Sequence, residues 1–173
     1  MNEVGQASAG DLDEESAREF QHATCSEIKA RAPNQLCCGG VQDSYHGFSK
    51  APGAFGRLHD SPAIDGAGMH EYEGHDVGNW GVAGRFAGHK AQMDALGKVI
   101  IIGEYGVGSK GTTTTAALRA DRAKAKTIAY RNAGAKASLI WAVAEPWNKG
   151  EPTTGAGAWE RVDSPVVAAV AAA

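Results

Sequence analysis

Apolar and polar positions along this chain alternate between two periods. Val99-Ile100-Ile101-Ile102 is an unbroken run of β-branched residues, followed at once by Gly103-Glu104-Tyr105-Gly106. Such a run predicts a strand covered on both faces, as strands of parallel sheets beneath helices are. Ahead of it, Val82, Phe86, His89, Met93 and Leu96 recur at helical spacing from Trp80 until Gly97 stops them. Nearer the start, Asp11 followed by Glu14 resembles a capping box. Ala17, Phe20, Ala23 and Ile28 then form a helical stripe that runs to Arg31, before Pro33-Asn34 breaks it. Residues 35–40 predict a short strand ending in glycines, and residues 64–69 a second one ending in His70-Glu71-Tyr72. Leu118, Ala125 and Ile128 mark a helix closed by Gly134, residues 137–143 form a last strand, and Pro165 opens a short Ala/Val-rich helix. Residues 41–62, punctuated by Gly47, Pro52, Gly53, Gly56 and Pro62, predict one long loop. Strands that alternate with helices of this size predict βαβ units and a parallel sheet, an α/β fold.

Composition narrows the function classes. The 173 residues predict one domain, 1–173, long enough for a real core. A net charge of −3 gives no basic footprint for nucleic acid. No apolar run is long enough to span a membrane, and Met1-Asn2-Glu3-Val4 lacks the basic and apolar regions of a signal peptide. Cys25, Cys37 and Cys38 show neither metal-type spacing nor a complete disulfide framework and read as buried small hydrophobes, with neighbours Cys37 and Cys38 on opposite faces of a strand.

The candidate chemistry lies at strand ends. Glu3, His70, Tyr72, Glu104 and Trp141 each fall at or just past the C-terminal end of a predicted strand. If those strands are parallel neighbours, the five side chains converge on one rim. Two carboxylates, a His/Tyr pair and an indole suit a carbohydrate, whose apolar faces stack on aromatics and whose hydroxyls need donors and acceptors. Retaining glycoside hydrolysis uses two carboxylates about 5–5.5 Å apart, one as acid/base and one as nucleophile. Glu145 is a rival carboxylate, and Glu73, His75 and Asp76 a weaker metal-site candidate; His46, His59 and His89 have no assigned role.

Asn2-Glu3-Val4, the 29–36 segment, His70-Glu71-Tyr72, the 96–106 segment and the strand ending at Trp141 resemble, in order, the C-terminal part of a (β/α)8 TIM-barrel retaining glycoside hydrolase of the clan that includes glycoside hydrolase family 5. Among relatives, the layout resembles endo-β-mannanases and related cellulases. The resemblance implies roughly the second half of the barrel, from the end of its fourth strand through its eighth. It implies Glu104 as nucleophile, Glu3 as acid/base, and Asn2 on the substrate's 2-hydroxyl. Tyr72 would contact the nucleophile, and His70 and Trp141 would line the cleavage subsite. The implied substrate is a β-linked polysaccharide, β-mannan or β-glucan, with no cofactor and no metal. Relatives of this kind are usually secreted.

Two departures matter. Val4 stands where the family has Pro, and the family's first four strands, with an Arg of the second, have no counterpart. The chain therefore reads as truncated, with exposed half-barrel edges that predict self-association. The alternatives are a non-catalytic carbohydrate-binding fragment or pseudoenzyme, and an unrelated α/β protein in which Glu104 merely ends a strand.

Overall fold

The structure, a computed structural model, describes residues 13–43, 52–71, 84–106, 116–140 and 165–173. The elements run α1 (Glu14–Arg31), β1 (Cys38–Asp43), α2 (Ala54–Leu58), β2 (Gly66–Glu71), α3 (Gly84–Ala95), β3 (Val99–Tyr105), α4 (Ala116–Asn132), β4 (Ser138–Ile140) and α5 (Pro165–Ala171). The strands form one sheet in the order β1-β2-β3-β4, and every neighbouring pair is parallel. A helix lies between each consecutive pair, so the βαβ alternation expected from the sequence is present.

The helices cover one face of the sheet. Ala67 and Met69 of β2, and Ile100, Ile102 and Tyr105 of β3, form the main core with Phe55, Phe86, Met93 and Tyr130 from the helices. Each of these large side chains contributes about 1.5–3 kcal/mol by leaving water. Tyr130 meets Tyr105 edge-on at 5.7 Å and Phe86 at 5.7 Å, geometries the ring quadrupoles favour. The opposite face is marked by a three-strand row. Cys38 pairs with Gly66, and Gly66 with Val99. A Cβ on Gly66 would stand 2.6 Å from the Val99 side chain and 3.5 Å from the Cys38 sulfur. The two side chains therefore share a face, and only a glycine fits between them.

Several expectations shift by a few residues, for physical reasons. The N-cap of α1 is Asp13, whose carboxylate accepts the Ser16 N–H at 2.8 Å, so the capping box expected from Asp11 is replaced by a cap two residues later. The buried stripe of α1 is Ala17, Gln21 and Cys25; Phe20 is 55% exposed. A buried glutamine carries the stripe because its carbonyl accepts the Gly40 N–H at 2.9 Å. Strand pairing begins at Cys38, not at residue 35, and runs to Asp43. The supposed loop of residues 41–62 thus contains the end of β1. It also contains α2, which is too short to show a helical period but buries Ala54, Phe55 and Leu58. On α4 the buried positions are Arg119, Ala120, Ala123, Lys126 and Tyr130, not the Leu118 and Ala125 of the expected stripe. Here α5 packs Ala169 and Val170 onto Ala120 and Ala123, and the Lys126 ammonium stands 5.8 Å over the centre of the Tyr130 ring.

The cysteines also correct the sequence reading. Cys25 and Cys37 form a disulfide across 12 positions that joins α1 to the approach of β1. Cys38 is free and exposed; partial desolvation of its thiol, aided by the Asp65 charge, pushes its pKa up. Cys37 is buried and Cys38 exposed, although strand pairing starts only at Cys38.

Candidate active site at the C-terminal ends of the strands

Glu104 owes its placement to one extra residue. Alternation along β3 would put Ile100, Ile102 and Glu104 on the helix-covered face and Tyr105 on the other. Both neighbouring ladders show otherwise. Against β2, Met69 pairs with Ile102 and His70 with Glu104; against β4, Ser138 pairs with Ile102 and Ile140 with Tyr105. Each neighbour is one residue short over this interval, so the bulge belongs to β3. Beyond it the faces exchange. Tyr105 enters the helix-side core at 0% exposure, next to its register partner Glu71. Glu104 takes the face of His70. A hydrogen bond to Thr127 holds the Tyr105 hydroxyl, and burial pushes its pKa up.

His70 Nε2 lies 3.1 Å from Glu104 Oε1, with side-chain exposures of 2% and 14%. An imidazole N–H donated at this distance orients the carboxylate whether or not the ring is charged. The small remaining exposure lets the carboxylate meet a ligand while most of it is held away from bulk water. Such a group is suited to attack on an electrophilic carbon, because ordered surroundings replace mobile solvent.

A second irregularity brings another acid into register. Between Gly39 and Gln42, β1 also carries one residue more than β2, and Asp43 becomes the partner of His70. Asp43, His70 and Glu104 therefore stand in one row across three strand ends. Sequence reasoning did not find Asp43, because it lay within the expected loop; the signal that could have found it is the acid closing the Gly39-Gly40-Val41-Gln42 stretch.

Of the residues predicted for the site, His70 and Glu104 are brought together. Asn2, Glu3, Tyr72 and Trp141 lie outside the described residues, as do Glu145, the Glu73/His75/Asp76 set and His46. His59 and His89 are core residues: His89 stacks on Phe55 at 4.1 Å, and His59 Nδ1 meets the Phe55 carbonyl at 2.7 Å. Among the described residues no group of three or more His, Cys, Asp or Glu is placed to hold a metal, and no helix is long and apolar enough to cross a membrane.

No protein-family model matches the chain, nor does any curated protein. Solved structures do. The endo-β-1,4-mannanase of Thermotoga petrophila aligns with a TM-score of 0.64 and 19% identity over 98% of this chain and 41% of its own. A glycoside hydrolase family 5 mannosidase from Rhizomucor miehei aligns at 0.58 and 16%, over 88% of this chain and 46% of its own. An exo-β-agarase aligns at 0.61 and 16%, over 91% of this chain and 22% of its own. At these identities the likeness is one of fold: four parallel strands with intervening helices form part of a (β/α)8 barrel. The chain spans about two fifths of the length of the Thermotoga mannanase.

Proposed function

We propose that this chain carries the nucleophile side of a retaining glycoside hydrolase acting on a β-linked polysaccharide, β-mannan first and β-glucan second. The observation that carries the reading is Glu104, turned by the β3 bulge onto the face of His70 and held at 3.1 Å from its imidazole. In barrels of this type the C-terminal strand ends bear the chemistry, and the solved structures of similar fold include mannanases and mannosidases.

In this mechanism a Glu104 oxygen attacks the anomeric carbon as the bond from that carbon to the leaving oxygen breaks. Glu3 gives its proton to that oxygen. Glu3 then takes a proton from water, which attacks the same carbon and releases Glu104 as a carboxylate. Asn2 holds the 2-hydroxyl, Tyr72 and His70 orient Glu104, and Trp141 forms the floor beneath the sugar.

The test is covalent trapping. A 2-deoxy-2-fluoro mannoside with a good leaving group should leave its sugar on the peptide containing Glu104, read by mass spectrometry, and Glu104→Gln should lower turnover of mannan at least about 10³-fold. Turnover with a label on another residue would remove Glu104 from the nucleophile's role. Binding of manno-oligosaccharide without any cleavage would establish the non-catalytic fragment instead.

A further inference from the structure

We infer that Tyr105 is a positioning residue for Glu104: its ring, tied through the hydroxyl to α4, fixes the β3 bulge from which the carboxylate projects. The inference rests on the glycosidase reading of Glu104 and gives its neighbour a part in the chemistry. It starts from a weakness in the sheet. An extra residue puts backbone groups out of step with the neighbouring strands and disrupts the ladder locally. On one side the register passes from Met69–Ile102 to His70–Glu104, and on the other from Ser138–Ile102 to Ile140–Tyr105. The backbone that bears the carboxylate is therefore held less by the sheet than the strand before it, and side chains must hold it instead.

Tyr105 does so. Its ring is 0% exposed and meets Tyr130 edge-on at 5.7 Å. Its oxygen lies 2.5 Å from Thr127 Oγ1, which in turn lies 2.8 Å from the Ala123 carbonyl oxygen. The proton order follows from the donor inventory. A carbonyl only accepts, so the Thr127 hydroxyl donates to Ala123 and accepts from Tyr105. Ser138 of β4 hydrogen-bonds the same phenol, whose single proton already goes to Thr127, so Ser138 is the donor. One phenol thus ties β3 to α4 and to β4 in a chain of bonds with every role filled. Glu104 is held at its tip by His70, at 3.1 Å, and at its root by the next residue. A nucleophile must come within about 3–3.5 Å of its carbon in the right direction, and a displacement of about 1 Å can cost 100-fold. Because Tyr105 lies in the helix-side core, loosening it should spoil alignment and leave substrate contacts intact.

The experiment separates alignment from binding. Mannan turnover, and labelling by the 2-deoxy-2-fluoro mannoside, are measured for the parent chain, Tyr105→Phe, Thr127→Val, Thr127→Ser and the Tyr105→Phe/Thr127→Val pair. Tyr105→Phe keeps the ring and should lower kcat and the labelling rate roughly 10-fold with KM unchanged. Thr127→Val should match it, the pair should be no slower than either single variant, and Thr127→Ser should restore the parent rate. Parent kcat in Tyr105→Phe, a rise in KM alone, or losses that add in the pair would overturn the positioning role and leave the glycosidase reading standing. A parent chain that neither cleaves mannan nor takes the label would overturn both. If Tyr105→Phe does not fold, Thr127→Val against Thr127→Ser carries the same comparison.

Discussion

His59 sits at 0% exposure between α2 and the sheet, where a Cβ on Gly39 would come within 2.2 Å of its ring. Burial drives its pKa down from 6.5 to about 4; backbone oxygens of Phe55 and Gly40 oppose the shift, and the Lys98 and His22 charges reinforce it. The folded chain therefore refuses a proton that the unfolded chain accepts between pH 6.5 and about 4. Stability should be fullest above pH 6.5, fall as acid is added, and level off below about pH 4, a total loss of about 3 kcal/mol from this residue. Urea unfolding at pH 7.5 and 4.5 measures it: His59→Gln should flatten the difference, and an unchanged difference would exonerate His59. This role was not legible beforehand, since a histidine between Leu58 and Asp60 belongs to no visible period. Glu104 was legible because it ends an apolar run. Asp43 was not, because its position depends on a pairing register that no local pattern encodes.

At the scale of elements, periodicity located α1, α3, α4 and β3 well, found the buried face of α3 in Phe86, His89 and Met93, and misjudged the buried faces of α1 and α4. The reason is that polar side chains occupy buried positions when a partner awaits them, as Gln21 does with the Gly40 N–H, or when an ammonium can stand over a ring, as that of Lys126 does over Tyr130. The joint between α1 and β1 was equally hidden. It is fastened three ways: the Cys25–Cys37 disulfide, the Lys29–Asp65 ion pair at 2.7 Å, and the Cys37 N–H donating to Asp65 at 2.7 Å. The Lys29 pairing and the Cys37 N–H hold the Asp65 carboxyl below its usual range. The disulfide closes a short loop and should contribute about 3 kcal/mol by restricting the unfolded chain. Reduction, or Cys25→Ala with Cys37→Ala, should lower the urea midpoint accordingly while leaving the far-ultraviolet spectrum native. A midpoint indifferent to reductant would mean that the ion pair and backbone bonds already hold the joint. Such a bond persists in oxidising surroundings.

Across the whole molecule, helices cover one face of the sheet, and the other face presents apolar side chains to solvent. Val99 is 38% exposed and Leu139 55%, the latter set between Ser138 and Ile140 on a strand whose Ile140 packs toward the helices. Among the described strands, β1 and β4 are the sheet's two edges. Together these features support the self-association expected from the sequence. Sedimentation velocity should show mass rising with concentration, and Leu139→Glu should return the chain to monomer; a wild-type chain that stays monomeric throughout would refute it. The α/β class and its parallel order were legible because alternation of periods is a global signal. The sheet's finer geometry was not, and it has a genetic consequence. What turns Glu104 to the face of His70 and Tyr105 into the core on β3 is a single codon's worth of chain. Substitutions near Gly103 alter one side chain at a time, and an in-frame loss of the Gly103 triplet would remove the extra residue while plain alternation kept Glu104 opposite His70 and Tyr105 in the core. Length should therefore vary at Gly103 more readily than at Ile102 or Glu104, where the same loss would remove a core residue or the carboxylate itself.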